Sequence, residues 1–335
     1  MGFWKSIWET RAQSWLKYRF KSNQVPDGKE PAVIQPNAAY ANVWLRSARV
    51  VNLRTGLRRF YGAVHSRVTL LPVAASDEVE VNTVVAPGFL KDIDARNLDR
   101  VISIDHRLLG PIAHSGNDVS IEVGLFSIAE ADLVAPYLGM LESISNIAGV
   151  GFINTAMQLA GPIKDGLNAI LSGGGDNILE IGLSQTFQPL ETGFYLVMRV
   201  EKDKLDPAML RLDAEGWHVV GADGEPVKDF PYMVLEVVAT SEKYDFAKIP
   251  ELNRQYDLVK AAINRGDAKE GEAAQLVFRR LALTSRELIR RDAERLAKLV
   301  KDEVDAALGG PIPQTGFVAP PAKELEELKL YSEPE

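Results

Sequence analysis

Ile121-Glu122-Val123-Gly124-Leu125 and Leu179-Glu180-Ile181-Gly182-Leu183 read almost alike. In both, apolar residues alternate with Glu and Gly, the two-residue period of a half-buried β-strand. Between the copies the chain is apolar at helical spacing and carries no charge from Ser143 to Ile163. The pattern predicts two like strands bracketing a helical pair that shields their sheet from water. Ser127 and Glu130 fit a capping box at the start of the first helix, and Gly173-Gly174-Gly175 ends the second.

Outward from this stretch the strand signals continue. Val43–Val51, Arg59–Val73 and Val79–Val85 precede it, with a short candidate at Val101–Ile104 and turn signals at Gly110-Pro111 and Ser115-Gly116. Phe194–Val200, Trp217–Val220 and Tyr232–Ala239 follow, the last two separated by an Asp223-Gly224 turn. From Ile249 the period becomes helical. Leu252, Tyr256, Val259 and Ile263 form one face, Leu276, Phe278 and Leu281 a second, and Ile289, Ala293, Leu296, Val300, Val304 and Ala307 a third. Gly266 and Gly271 suit the first break, and Thr284-Ser285 suits a cap for the last helix.

The expected class is therefore α+β: an antiparallel, β-sandwich-like body over 40–244 with a helical hairpin insert at 128–172. An amphipathic helix at 1–21 and a linker at 22–39 precede it; a helical domain at 245–308 and a flexible, Pro-rich then acidic tail at 309–335 follow.

Composition narrows the function classes. The chain has 335 residues, 46% hydrophobic and 25% charged, enough for a substantial core. A net charge of −8 argues against nucleic acid as the partner. With no cysteine, thiolate nucleophiles, disulfides and Cys-based zinc sites are absent, which suits a reducing, cytoplasmic setting. The N-terminus has Trp and charge where a signal peptide needs an apolar core.

That N-terminal stretch holds three of the five tryptophans, Trp4, Trp8 and Trp15, with Ile7 at a helical step. Lys5, Arg11, Lys17 and Arg19 surround them against one acid, Glu9. Indoles at headgroup level and cations on anionic lipid would make such a helix a peripheral membrane anchor. The plainer expectation is that the same residues dock on a protein, either the chain's own body or a partner.

Chemical motifs are sparse. The four histidines, His65, His106, His114 and His218, show no metal-ligand spacing. His106 and His114 would need to converge with Asp105 to bind a metal, and three separate turn or surface residues are the expectation. Gly182-Leu183-Ser184-Gln185-Thr186 only superficially resembles a nucleophile elbow. Gly173-Gly174-Gly175-Asp176 runs from helix to strand, the wrong order for a phosphate loop. Asp92, Asp94 and Asp99 are interleaved with Lys91, Arg96 and Arg100, which suits salt bridges better than calcium. If the twin strands lay side by side in register, Glu122 and Glu180 would share a face at roughly 5 Å, a general acid/base dyad. A solvated sheet face is the plainer expectation for both.

No cofactor or metal is implied. The sequence points to a non-catalytic protein–protein interaction or scaffold protein with a protein partner or self-association, able to touch an anionic membrane surface through its first helix. A membrane-acting effector that inserts Ser143–Ile163 conditionally is the first alternative, and a hydrolase the second.

Overall fold

A computed structural model describes residues 15–50, 54–55, 58–70, 79–85, 102–116, 118–129, 165, 178–200, 204–215, 217–309 and 322–331. Among the described residues it is α+β, with antiparallel sheets and three helices given in full. The chain divides into two compact units. The first takes residues 1–34, 41–110 and 116–239, and the second takes 35–40, 111–115 and 240–335.

Among the described residues the strands are β1 (Trp15–Arg19), β2 (Tyr40–Arg49), β3 (Arg54–Thr55), β4 (Arg58–Leu70), β5 (Val79–Val85), β6 (Ile102–Ala113), β7 (Val119–Ala129), β8 (Ile178–Phe187), β9 (Gly193–Arg199), β10 (Arg211–Leu212), β11 (Val219–Val220) and β12 (Tyr232–Thr240). One five-stranded sheet has the order β1-β9-β12-β2-β6. The second follows β3-β4-β7-β8, with β5 on the other side of β4, and β10 and β11 form a hairpin.

The twin segments are indeed neighbours: β7 and β8 pair antiparallel. Gly124 faces Gly182, so the motif crosses its own copy at a point without side chains. This geometry sends the two glutamates to opposite ends. Glu122 faces Ser184, while Glu180 is the extra residue of a bulge that lies between the Leu125–Ile181 and Phe126–Leu179 pairs. The helical pair expected between the strands lies outside the described residues. Ser127 is not a helix cap, because β7 runs on through it to Ala129.

Residues 15–19 correct the expected N-terminal helix. They form β1, in register from Trp15 opposite Arg199 to Arg19 opposite Tyr195. The alternation Leu16-Lys17-Tyr18-Arg19 obeys a period of two as well as the helical steps do, and tertiary pairing decides it. Leu16, Tyr18 and Phe20 turn to a core of Leu196, Met198, Val200, Leu210, Leu212, Val219, Tyr232 and Val234.

The following segment, expected to be a linker, is bonded to the body. Gln24 is buried; its amide donates to the Leu210 carbonyl (2.5 Å) and its oxygen accepts from the Tyr18 hydroxyl (2.8 Å). Further on, the Ile34 amide donates to Leu190 O (2.9 Å) and the Thr192 amide to Ala32 O (2.8 Å). Gly110-Pro111, expected as a turn, lies inside β6. Gly110 has φ +99°, and a Cβ there would sit 2.3 Å from the Ala41 carbonyl oxygen.

In the second unit, α1 (Pro250–Arg265), α2 (Ala268–Thr284) and α3 (Arg290–Leu308) pack together. Leu252, Tyr256, Val259 and Ile263 of α1 are buried as their spacing predicts, as are Ala293, Leu296, Val300 and Val304 of α3. Gly266 ends α1 at φ +69°. Gly271 does not contribute to that break: it is buried within α2, where a Cβ would meet Leu308 Cδ1 at 2.6 Å. Leu276 departs from the expected face and is 54% exposed, because α2 buries Gly271, Ala274, Gln275, Phe278 and Ala282 instead. Thr284-Ser285 does not cap α3, whose N-cap is Ile289; the Ser285 hydroxyl accepts from the Glu287 amide (3.1 Å).

Nor do residues 322–331 of the tail hang free. Leu325, Leu328 and Leu330 are buried, and the Tyr331 hydroxyl donates to Asp292 Oδ2 (2.6 Å). The Tyr40 hydroxyl donates to the same oxygen (2.7 Å), and the Lys243 amide donates to the Tyr331 hydroxyl (2.9 Å). Lys243 itself is fully enclosed, its ammonium on the Pro111 carbonyl (2.6 Å) and Glu287 (3.3 Å). A buried charge survives only with such partners.

Candidate functional site

The acids and histidines singled out in the sequence do not assemble. Glu122 is ion-paired to Arg67 of β4 at 2.9 Å, and Arg67 is its register partner there. Glu180 is fully buried and paired at 2.7 Å to Arg199 of β9. Each carboxylate thus has its own cation from a different strand, and the proposed dyad is replaced by two separate ion pairs. Ser184 is exposed on β8.

His65 is enclosed in β4, edge-on to the Phe126 ring, and burial pushes its pKa down to about 3. His106 sits on β6 and His114 just after it; burial lowers both. Asp105 does not join them, since its carboxylate pairs with Arg46. His218 pairs with Asp213 across the β10–β11 turn. Burial alone would raise the Asp213 carboxyl, but the amides of His218 (3.1 Å) and Trp217 (2.9 Å) and the His218 ring bring it below its ordinary value. Among the described residues no group of three or more His, Asp or Glu is placed to hold a metal. Asp92, Asp94 and Asp99 lie outside the described residues.

Two of the predicted contact residues do meet at a cavity. Lys17 and Arg19 line a cleft of about 460 Å³ with Gln185 and Phe187 of β8, Glu191 of the β8–β9 turn and Tyr195 of β9. That turn holds a cis Gln188–Pro189 bond. Register places Lys17 beside Val197 and Arg19 beside Tyr195. Strand β8 lies against the same side: Phe187 meets the Tyr195 ring edge-on at 5.2 Å, and Lys17 Nζ donates to the Ser184 carbonyl (3.2 Å).

Arg19 pairs with Glu191, and the Tyr195 hydroxyl donates to the Glu191 carbonyl (3.1 Å). Burial raises the Tyr195 hydroxyl pKa, against the opposing pull of Arg19. The phenol is therefore a neutral hydrogen-bonding group at ordinary pH.

Strand β1 also presents a main-chain edge here. The Phe20 amide donates to the Phe194 carbonyl (3.0 Å). Hydrogen-bonded and non-bonded pairs alternate along an antiparallel ladder, so Leu16 and Tyr18 bond β9 while the main-chain groups of Lys17 and Arg19 face away from it. Among the described strands β9 alone pairs β1, and β7 alone pairs β8. The arrangement can accept an extended main chain and hold a carboxylate beside it. Nothing in the sequence brought Gln185, Glu191 and Tyr195 together with Lys17 and Arg19; the available signal was the two-residue spacing of Lys17 and Arg19.

Trp4, Lys5, Ile7, Trp8 and Arg11 lie outside the described residues, as does Ser143–Ile163. Among the described residues no helix is long and apolar enough to cross a membrane. A third polar cluster lies around Trp44, whose ring has the Arg46 guanidinium at 4.8 Å and that of Arg107 at 5.7 Å. Arg46 also holds Glu236 (2.5 Å), whose carboxyl burial raises and Arg46 opposes. Against protein-family models, curated proteins and solved structures, the chain has no match.

Proposed function

We propose that the protein is a non-catalytic protein–protein interaction or scaffold module that takes up an extended segment of a partner chain at the β1–β8 cleft. The observation that carries this reading is the outward-facing main chain of Lys17 and Arg19 beside a cavity with exposed cations. Strand addition draws its affinity from main-chain hydrogen bonds and its selectivity from alternate side chains. Lys17, beside an Arg19 already paired to Glu191, favours a segment with an acidic side chain. In this reading β8 over β1 and β9 is the contact between the two layers of a sandwich.

The test places a photo-crosslinking residue at Gln185 in the full chain and compares Lys17→Pro, which removes a donor that β9 does not use. The expected result is a crosslinked adduct, from cell extract or a second copy, that disappears in Lys17→Pro. An adduct indifferent to Lys17→Pro, or none from either source, overturns the reading. Sedimentation velocity separates a second copy from a different partner.

Contact with an anionic membrane surface is the second reading, carried by the spacing of Trp4, Ile7 and Trp8 among Lys5 and Arg11. Co-sedimentation with phosphatidylserine vesicles tests it. Binding lost in Trp4→Ala/Trp8→Ala supports it, and no binding, or binding indifferent to those changes, removes it.

A further inference from the structure

Helix α2 has two apolar stripes, and the described residues cover only one of them. Gly271, Ala274, Gln275, Phe278 and Ala282 are buried. Gly271 lies against Ala262 of α1 and against Val304 and Leu308 of α3, and the Ala274 carbonyl accepts from Gln255 Nε2 of α1 (3.0 Å). On the opposite side Leu276 and Leu283 are 54% and 44% exposed, with Val277 at 49% beside them. The outer face of α3 differs: it is charged and pairs with itself through Arg290–Glu294 and Lys301–Asp305.

The outer stripe of α2 has the order of a helix-pairing seam. Ala273, Leu276, Arg280 and Leu283 are all exposed and follow one another at steps of three, four and three residues. This is the rhythm by which one helix packs its side chains between those of another, with leucine at every second seam position. So narrow a stripe matches a single second helix, where an interfacial membrane helix presents a broader apolar face.

Charge then selects which helix. Glu272 and Arg279 hold the same flanking position, seven residues apart, and Glu272 and Arg280 stand one turn before and one turn after Leu276. Arg279 and Arg280 form no ion pair among the described residues. A second copy of α2 running antiparallel, with Leu276 opposite Leu276, brings each Glu272 beside Arg279 and Arg280 of the other copy. The contact occurs twice, as two-fold symmetry requires. A parallel copy gains nothing of the kind, because Val277 and Thr284 would then flank Glu272 and Arg279. An anionic lipid surface would attract the arginines and repel Glu272, whereas the antiparallel copy satisfies both signs.

We propose that two copies of this protein pair through the outer face of α2, antiparallel about Leu276, with Glu272 of each copy on the arginines of the other. The pairing uses none of the residues that line the β1–β8 cleft.

The experiment follows self-association of the full chain by sedimentation velocity over a concentration series, and the expected species is a dimer. Arg279→Glu/Arg280→Glu and Glu272→Arg each set like charges against one another twice, and each should weaken pairing by at least about ten-fold. Mixed in equal amounts, the two variants regain both attractive contacts and should pair to within about three-fold of the unmodified chain. Under mild oxidation Leu276→Cys should give a covalent dimer and Lys298→Cys, on α3, should not; the chain has no cysteine of its own. All these positions are exposed, so the variants test the surface and not the fold. A chain that stays monomeric up to about 1 mM overturns the proposal. Co-sedimentation with phosphatidylserine vesicles, lost in Arg279→Glu/Arg280→Glu, would then assign the face to lipid instead. A dimer that the charge variants leave unchanged, a mixture no tighter than its components, or no covalent dimer from Leu276→Cys also overturns it. Lys17→Pro should leave this dimer intact, and its loss in that variant would move the contact to the cleft and refute pairing through α2.

Discussion

His65 makes the first unit sensitive to acid in a way that can be calculated. Its ring is fully buried in β4, and desolvation lowers its pKa from 6.5 to about 3. In the unfolded chain the imidazole takes a proton below its ordinary value, whereas the folded protein refuses it until far lower pH. The contribution to stability is therefore full above 6.5 and lost progressively as pH falls toward the folded value. At about pH 5 the unfolded state gains a factor of roughly 30 in proton binding, a loss of about 2 kcal/mol; well below pH 3 the loss approaches about 5 kcal/mol. His65→Leu removes the titration. Urea unfolding followed by circular dichroism, at about pH 7.5 and about pH 5, gives the comparison. His106 and His114, both also lowered by burial, cancel between the two proteins. The unmodified chain should lose about 2 kcal/mol more than His65→Leu over this range. Equal losses would show that the folded state protonates His65 readily, and the reasoning from burial would fail.

Three further expectations concern stability. Tyr40→Phe and Tyr331→Phe each remove a hydrogen bond to Asp292 Oδ2 and should each cost about 1.5–3 kcal/mol, with non-additive effects because they share the acceptor. Burial first, and Asp292 second, raise both hydroxyls above their ordinary value of 10.0, so this stability is full below that pH and lost above it. Either variant should flatten the alkaline limb of a urea-midpoint profile. Gly110→Ala drives a methyl into the Ala41 carbonyl at φ +99° and should cost about 2–4 kcal/mol; a loss below about 0.5 kcal/mol in thermal unfolding contradicts the close approach. Arg67→Met deprives Glu122 of its cation in a partly buried pair and should cost about 1–2 kcal/mol, and a double-mutant cycle with Glu122→Gln should show coupling between them.

Strand positions were legible wherever β-branched residues alternate, as in Val79–Val85 and Tyr232–Thr240. The buried stripes of α1 and α3 were equally clear, because their apolar residues recur without competition. The failures have physical causes. Trp15–Arg19 satisfies helical and strand periods at once, and only pairing with β9 distinguishes them. Gly271 reads as a helix breaker, yet close packing against Leu308 is what it provides. The Leu325–Tyr331 segment is too short and acidic to announce a buried stretch, and its three leucines gain meaning only against α1 and α3. As for the cleft, Lys17 and Arg19 were noticed for their charge, but Gln185 and Tyr195 arrive from strands far along the chain. No local pattern records that meeting.

The glycine crossing of β7 and β8 has a consequence for the unfolded chain. Because Gly124 opposes Gly182 and the two motifs are near-copies, either can take its twin's place beside the other: Val123 faces Leu183 and Leu125 faces Ile181 across the glycines. A Leu-Glu-Ile-Gly-Leu segment released from one molecule can pair with the same segment of another in the native register, which is the geometry that seeds fibrils. Refolding at high concentration should therefore divert material into cross-β aggregate through this repeat, and a charge placed at Gly182 should suppress that loss.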